Sequence, residues 1–443
     1  MVILIGLISV ATFVQIYWLI PRHYQNYFLI AGSIVFGVAF YLHTLAIALI
    51  LGSFVFLVLV REIKIPVALM TSICLFPLVV LKLFPSSLGE VSLLGLSYFT
   101  FILLGAFYDL RKRAERSALG AADFFCFILF FPIIPIGPIE RFEGLGRQIR
   151  VPRQWRSSNL TTGVLLVALG VFKKVVIADR LNELAVDSEM NSLSYYGLRM
   201  WGFSFLALLQ VFADFSSIVD IVRGLGKLLG FNLIDNFDRP YLADSIQDIW
   251  RRWHISLVSW LRDFVYTPIA LRSRSVLISS AAVILMVGLW HEASWRFGLW
   301  SLYWISIFWA AVFMRQRGIR LNIGRLPKRI SMVAVMAVST IFMMPSSVSE
   351  LTTLAGNFFR FTSSEFKPLN VSNANLLTAL FGFSVVLGVD TIADKLMIRY
   401  RPHVESEQSV RSHVISLVIA SIMLIISIAL AAGTWEKFIY LRY

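Results

Sequence analysis

From end to end the chain alternates long apolar runs with short polar loops. The first run, Val2 to Ile20, is long enough for an α-helix to cross the roughly 30 Å hydrocarbon core of a bilayer. It lacks a basic leading segment and a small-residue cleavage site, which predicts a retained span rather than a signal peptide. The run Tyr27 to Val60 is interrupted at Tyr41-Leu42-His43-Thr44 and predicts two short helices in place of one. Further apolar segments lie near 65–84, 92–108, 121–139, 160–178, 195–222, 276–291, 295–314, 329–345, 373–389 and 413–432. That makes about a dozen segments, some too short or too polar to cross fully. No period repeats along the chain, which weighs against the internal repeats of many transporters.

The largest polar interruption runs from 223 to 275. From Ile249 onward, Trp250, Trp253, Leu257, Trp260, Leu261 and Phe264 recur at helical spacing. Ser245, with Asp248 three residues on, reads as an N-cap with an acidic variant of the capping box. A helix with tryptophan on one face and arginine on the other fits the membrane interface. A re-entrant helix buried in protein and an ordinary amphipathic surface helix fit the same pattern.

Composition turns these segments into a class. Of 443 residues, 58% are hydrophobic and only 15% charged, with a mean hydropathy of +0.76. Soluble domains carry roughly 25% charged residues, so too little polar surface remains to coat a globule. Cys74 and Cys126 sit inside apolar runs and read as small hydrophobes. The net charge of +14 would suggest nucleic acid in a soluble chain, but here the cations gather in short loops. Arg315, Arg317, Arg320, Arg325, Lys328 and Arg329 form one group, Arg111, Lys112, Arg113 and Arg116 a second, and Arg141 through Arg156 a third. Basic loops beside spans mark the cytoplasmic side, where anionic lipid attracts them. No nucleic-acid partner is expected.

Soluble-enzyme signatures are missing: there is no GxxxxGK[ST] phosphate loop, no dinucleotide fingerprint, no GxSxG elbow and no HExxH spacing. No metal site is predicted. His291 closes the apolar run Val283–Trp290 and precedes Glu292-Ala293-Ser294-Trp295. An ionisable residue at the end of a membrane segment is costly and so marks a functional site. An apolar setting favours the neutral imidazole that a general base requires; a histidine anchored at the interface beside tryptophans is the structural alternative. If the helix continues past His291, Glu292 pairs with Arg296 at i, i+4. His254, in Trp250-Arg251-Arg252-Trp253-His254, orients a substrate or satisfies a buried hydrogen bond. Asp214 and Asp220, in an otherwise apolar stretch, need partners; Arg223 and Lys227 are near in sequence, and a channel lining is the second reading. Lys173 and Lys174 read as snorkelling residues at the interface.

The blocks Asn236-Phe237-Asp238-Arg239-Pro240-Tyr241-Leu242, Trp250-Arg251-Arg252-Trp253-His254-Ile255-Ser256-Leu257 and Trp260-Leu261-Arg262-Asp263-Phe264-Val265-Tyr266-Thr267-Pro268 resemble the signature of the membrane-bound O-acyltransferases. The branch is that of the bacterial alginate O-acetylation proteins. Gly288-Leu289-Trp290-His291-Glu292-Ala293-Ser294-Trp295 resembles that branch's GLWHGASW segment, with Glu292 where the family usually has glycine. Gly95–Phe101, Gly137-Pro138-Ile139-Glu140-Arg141-Phe142 and the terminus Phe438–Tyr443 are weaker matches in the same order.

The resemblance implies an all-α polytopic membrane protein: a ring of about 11–12 transmembrane helices, with re-entrant or interfacial helices, around a central tunnel. It implies one integral-membrane domain over 1–443, with a motif core at about 95–315 that includes 223–275. It implies His291 as catalytic, His254 as the second motif histidine, and Asn236, Arg251, Trp290 and Ser294 as substrate or tunnel-lining candidates. The implied activity is transfer of an acyl group, foremost acetyl, from a cytoplasmic thioester such as acetyl-CoA to a cell-surface or exported polysaccharide. No tightly bound cofactor is implied. The implied setting is the bacterial cytoplasmic membrane, in contact with membrane lipid and with a periplasmic or extracellular SGNH-type acetyltransferase as partner. D-alanyl transfer from a carrier protein to teichoic acid is the alternative within the family. A polysaccharide or lipid transporter is the alternative outside it.

Overall fold

The computed structural model describes residues 2–83, 94–111, 119–181, 195–319, 323–361, 373–395 and 410–431. The basic group at Lys112, Arg113 and Arg116, together with Arg320 and the Phe438–Tyr443 terminus, lies outside the described residues. Counting helices of seven residues or more, the order is α1 Val2–Leu19, α2 Gln25–Phe40, α3 Leu42–Val60, α4 Val67–Leu83, α5 Leu96–Leu110 and α6 Ala121–Ile128. There follow α7 Ser157–Phe172, α8 Gly197–Leu228, α9 Ile246–Arg252, α10 Ile255–Leu261, α11 Thr267–Ser273 and α12 Val276–His291. The last are α13 Trp295–Gln316, α14 Arg325–Ser339, α15 Val348–Asn357, α16 Asn373–Lys395 and α17 Val410–Leu430. Among the described residues the β pairing is a single bridge, Phe237 to Trp253.

Six helical segments among the described residues are long and apolar enough to cross a membrane, and five shorter apolar helices accompany them. The chain is an all-α, multi-pass membrane protein. Its helices differ in what they face. Of the apolar window in Ser157–Leu181, 89% is buried within the protein, against 22% in His413–Leu430. The latter leaves Ile422, Ile425 and Ile428 exposed, as a helix facing lipid does.

The break in the Tyr27–Val60 run falls where expected: Tyr41, at φ −150 and ψ 52, separates α2 from α3. The segment 121–139 does not form one span. Helix α6 stops at Ile128, and turns carry a buried chain through Pro132, Pro135 and Pro138. Each proline lacks an N–H and clashes with the preceding turn. Irregular backbone at such a place survives because protein surrounds it.

Packing groups the chain into two compact units, each discontinuous in sequence. Unit one comprises Met1–Val171, Ile218–Asp235 and Ile392–Ala429; unit two comprises Phe172–Ser217, Asn236–Thr391 and Leu430–Tyr443. In unit one, Asp109 receives two hydrogen bonds from Arg141. Buried Glu140, in the Gly137–Phe142 loop, accepts the Ile234 N–H at 2.6 Å, and Asp220 pairs with Arg223 at 3.7 Å. The free thiols of Cys74 and Cys126 are buried there.

Unit two contains a buried ion cluster. Lys173 and Lys174 are 1% and 2% exposed, so neither snorkels. They begin a π-helical stretch, Lys173–Ala178, in which Lys174 Nζ lies 2.8 Å from both Asp179 and Asp214. Asp214 thus finds its partner on another helix, not in Arg223 or Lys227.

Candidate active site

The 246–266 segment is not one helix. Ser245 caps α9 by accepting the Asp248 N–H at 3.2 Å, as the capping pattern predicts, while the Asp248 carboxylate accepts the N–H of Asp244, one residue ahead of the cap. Arg252 then closes α9 by donating to Asp248 and to the side chain and carbonyl of Asp238. The helix ends, Trp253 turns extended, and His254 adopts φ 48 and ψ 50 before α10 begins. That left-handed conformation is uncommon for a residue with a Cβ and needs its surroundings to hold it. The strand-like stretch 236–238 does so. The Asp238 N–H donates to Arg252 O and the Ile255 N–H to Asn236 O, while the Asn236 carboxamide accepts the Ser256 N–H at 3.0 Å. Asn236 is fully buried and therefore fixes the backbone at His254.

The second histidine also sits at a break. Helix α12 stops at His291, Glu292 is extended, and α13 starts at Trp295. Glu292 still meets Arg296, whose Nη2 donates to both carboxylate oxygens at 2.9 Å. Close packing sets the spacing of the two helices: a Cβ at Gly288 would collide with the Ser301 hydroxyl.

These breaks deliver both histidines to one cavity in unit two. His254 is buried and packs edge-on against Phe215 and Trp290, with ring centroids 4.9 and 5.5 Å away. Burial first, and His291 second, hold the His254 imidazole down at about 3, so it is neutral at ordinary pH. The His291 ring stacks on Phe297 at 5.4 Å and meets Trp300 at 6.1 Å. The rest of the lining is apolar or aromatic, apart from the hydroxyls of Ser339 and Thr340. Among the described residues, no Lys, Arg, Asp or Glu lines it. Among the described residues no three His, Cys, Asp or Glu side chains gather as a metal set.

Of the other sequence candidates, Trp290 touches both histidine rings and Asn236 acts through the backbone, while neither lines the cavity. Ser294 stands at the N-cap of α13 without capping it through its side chain. Arg251 is exposed and away from the lining. Trp300 and Trp304, which do line it, were not among the sequence candidates. The signal for them is Phe297, Trp300 and Trp304 at i, i+3 and i+7, on one face of α13.

The sequence profile of the membrane-bound O-acyltransferase family matches residues 65–351, most of the chain and the whole of this cavity. The chain belongs to the membrane-bound O-acyltransferase family. Among its relatives is the probable alginate O-acetylase AlgI of Azotobacter vinelandii, 32% identical over 213 residues, which cover 47% of this chain and 42% of the relative. The peptidoglycan O-acetyltransferase of Helicobacter pylori is 33% identical over 185 residues, 41% of this chain and 35% of the relative. The teichoic acid D-alanyltransferase of Streptococcus thermophilus is 26% identical over 247 residues, 51% of this chain and 59% of the relative. The chain thus matches less than half the length of the first two. His254 and His291 both lie within the matched residues and line one cavity.

Proposed function

We propose that the protein is an O-acyltransferase of the bacterial cytoplasmic membrane. It passes an acetyl group from a cytoplasmic thioester, acetyl-CoA foremost, across the membrane to O-acetylate a cell-surface or exported polysaccharide. The observation that supports this most is the meeting of His254 and His291 in one uncharged cavity. In this reading His291 takes the proton from the acceptor hydroxyl as its oxygen adds to the thioester carbonyl carbon. The tetrahedral species collapses with cleavage of the C–S bond, and the leaving thiolate recovers the proton from His291. General-base assistance of this kind contributes roughly 10²–10⁴-fold, and holding the reactants in a water-poor cavity adds to it. His254, kept neutral by burial, lets His291 become imidazolium without a second cation beside it.

Acetyl is favoured over D-alanyl on two grounds. The acetyltransferase relatives are the more similar in sequence, and the cavity offers no carboxylate to pair an α-ammonium group. A secreted SGNH-type acetyltransferase is the proposed partner that completes delivery to the glycan. The test is His291→Ala in the full-length chain, followed by measurement of ester-linked acetate on the envelope glycan. Acetylation is lost while membrane insertion is kept. Unchanged acetylation overturns the assignment, and a transporter has no such requirement for His291.

A further inference from the structure

Three tryptophans that line the cavity, Trp250, Trp300 and Trp304, carry indole N–H groups with no acceptor among the described residues. Their Nε1 atoms are buried. Trp300 and Trp304 are 8% and 4% exposed. The rings cluster: Trp250 lies 6.4 Å from Trp300 and 5.6 Å from Trp304, and Trp300 lies 6.1 Å from Trp304. Trp300 is equally close, 6.1 Å, to the His291 ring. An indole N–H only donates, and burying a donor unpaired costs roughly 1–3 kcal/mol. A cavity that carries three is built to receive acceptors.

The rest of the lining says which acceptors. The hydroxyls of Ser339 and Thr340 already donate to backbone carbonyls of their own helix. Among the described residues, no cation lines the cavity to hold a phosphate or carboxylate, and no anion to hold an ammonium group. What fits is a neutral chain with carbonyl oxygens spaced along it. The pantetheine arm of a thioester donor is such a chain, with a thioester carbonyl at its tip and amide carbonyls behind.

We infer that Trp300 and Trp304 grip the donor through these carbonyls. Trp300, beside His291, donates to the thioester carbonyl oxygen. Trp304, one helical turn along α13, donates to an amide carbonyl of the arm. The inference rests on the proposed acyl transfer and assigns two groups to it. As the acceptor oxygen adds to the carbonyl carbon, the π electrons of the C=O bond move onto the oxygen that faces the Trp300 N–H. This bond is strongest at that moment, so it lowers the barrier as an oxyanion donor does. When the C=O bond re-forms and the sulfur leaves, the contact relaxes.

The test uses the full-length protein in native membrane vesicles, which carry its own acceptor, and reads thiol release. Acetyl-CoA and an acetylated acyl carrier protein are supplied in parallel; both carry the pantetheine arm, and the productive one identifies the source. Trp300→Phe keeps an aromatic ring and removes only the donor. It lowers kcat by about 10²–10³-fold with KM little changed, by analogy with loss of one oxyanion donor. Trp304→Phe raises KM several-fold and leaves kcat near wild type. A thioether analogue of acetyl-CoA, which lacks the thioester carbonyl, inhibits wild type and Trp300→Phe equally. Wild-type kcat in Trp300→Phe overturns the inference, as does equal weakening of thioester and thioether by that variant, which marks a packing role. If the wild type releases thiol from neither donor, the proposed function fails, and the inference with it.

Discussion

Two polar clusters lie buried in unit two, and they meet the cost of burial in opposite ways. Around Lys174, one ammonium sits between two carboxylates at 2.8 Å each, and the charges answer one another. Around the cavity there is no charged side chain, yet indole donors of Trp250, Trp300 and Trp304 stand without acceptors among the described residues. The first cluster is complete as the chain folds. On the proposed reading, the second is completed by the donor that enters. Buried charge therefore points less surely to a binding site than unspent hydrogen-bonding capacity does.

That contrast breaks most visibly at Lys174. Lys174→Met leaves Asp179 and Asp214 without their shared cation and should cost about 3–5 kcal/mol, read as a fall in thermal unfolding temperature in detergent. Adding Asp214→Leu restores much of the loss, because an apolar pair of similar volume needs no partner. The phenylalanine variants at Trp300 and Trp304 should leave unfolding temperature near wild type, and a large drop there erases the distinction. Between these lies Asn236. Asn236→Ala frees the buried Ser256 N–H and should cost about 1–3 kcal/mol, with transfer falling further than stability because His254 loses its backbone clasp. Parallel decline of the two would reduce Asn236 to ordinary packing.

The last prediction is a pH dependence. An unfolded histidine titrates near 6.5, whereas folded His254 is held at about 3 by burial and by His291. Below pH 6.5 the unfolded chain therefore binds the extra proton. Stability is full above that value and declines as pH falls toward 3, by at most about 1.4 kcal/mol per pH unit from this group. His254→Asn, which suits the left-handed backbone, should flatten this part of the pH–stability curve. An unaltered acid limb in that variant assigns it to other groups.

Much of this was legible along the chain, for identifiable reasons. Apolar length alone placed α12, whose ends match the expected 276–291, and the polar Tyr41–Thr44 stretch marked the boundary of α2 and α3. Ser245 and Asp248 announced the start of α9 because capping is local chemistry. The break at His254 was hidden because apolar spacing continues across it, and the force that bends it comes from Asn236 and Asp238, far enough away in sequence to escape a periodicity argument. Lys173 and Lys174 misled for the same reason: their partners lie on another turn and another helix. Trp300 and Trp304 were not legible as lining residues, since spacing on α13 shows a shared face but not what that face meets.

The Gly288–Ser301 contact has a mechanical consequence. The Ser301 hydroxyl reaches the carbonyls of both Ile284 and Phe297, while the missing side chain at Gly288 lets the two helices seat against each other. The pair works as a detent: α12 and α13 can neither slide nor roll without unseating it. The offset between His291 and Trp300 is thereby held like the jaws of a fixed gauge.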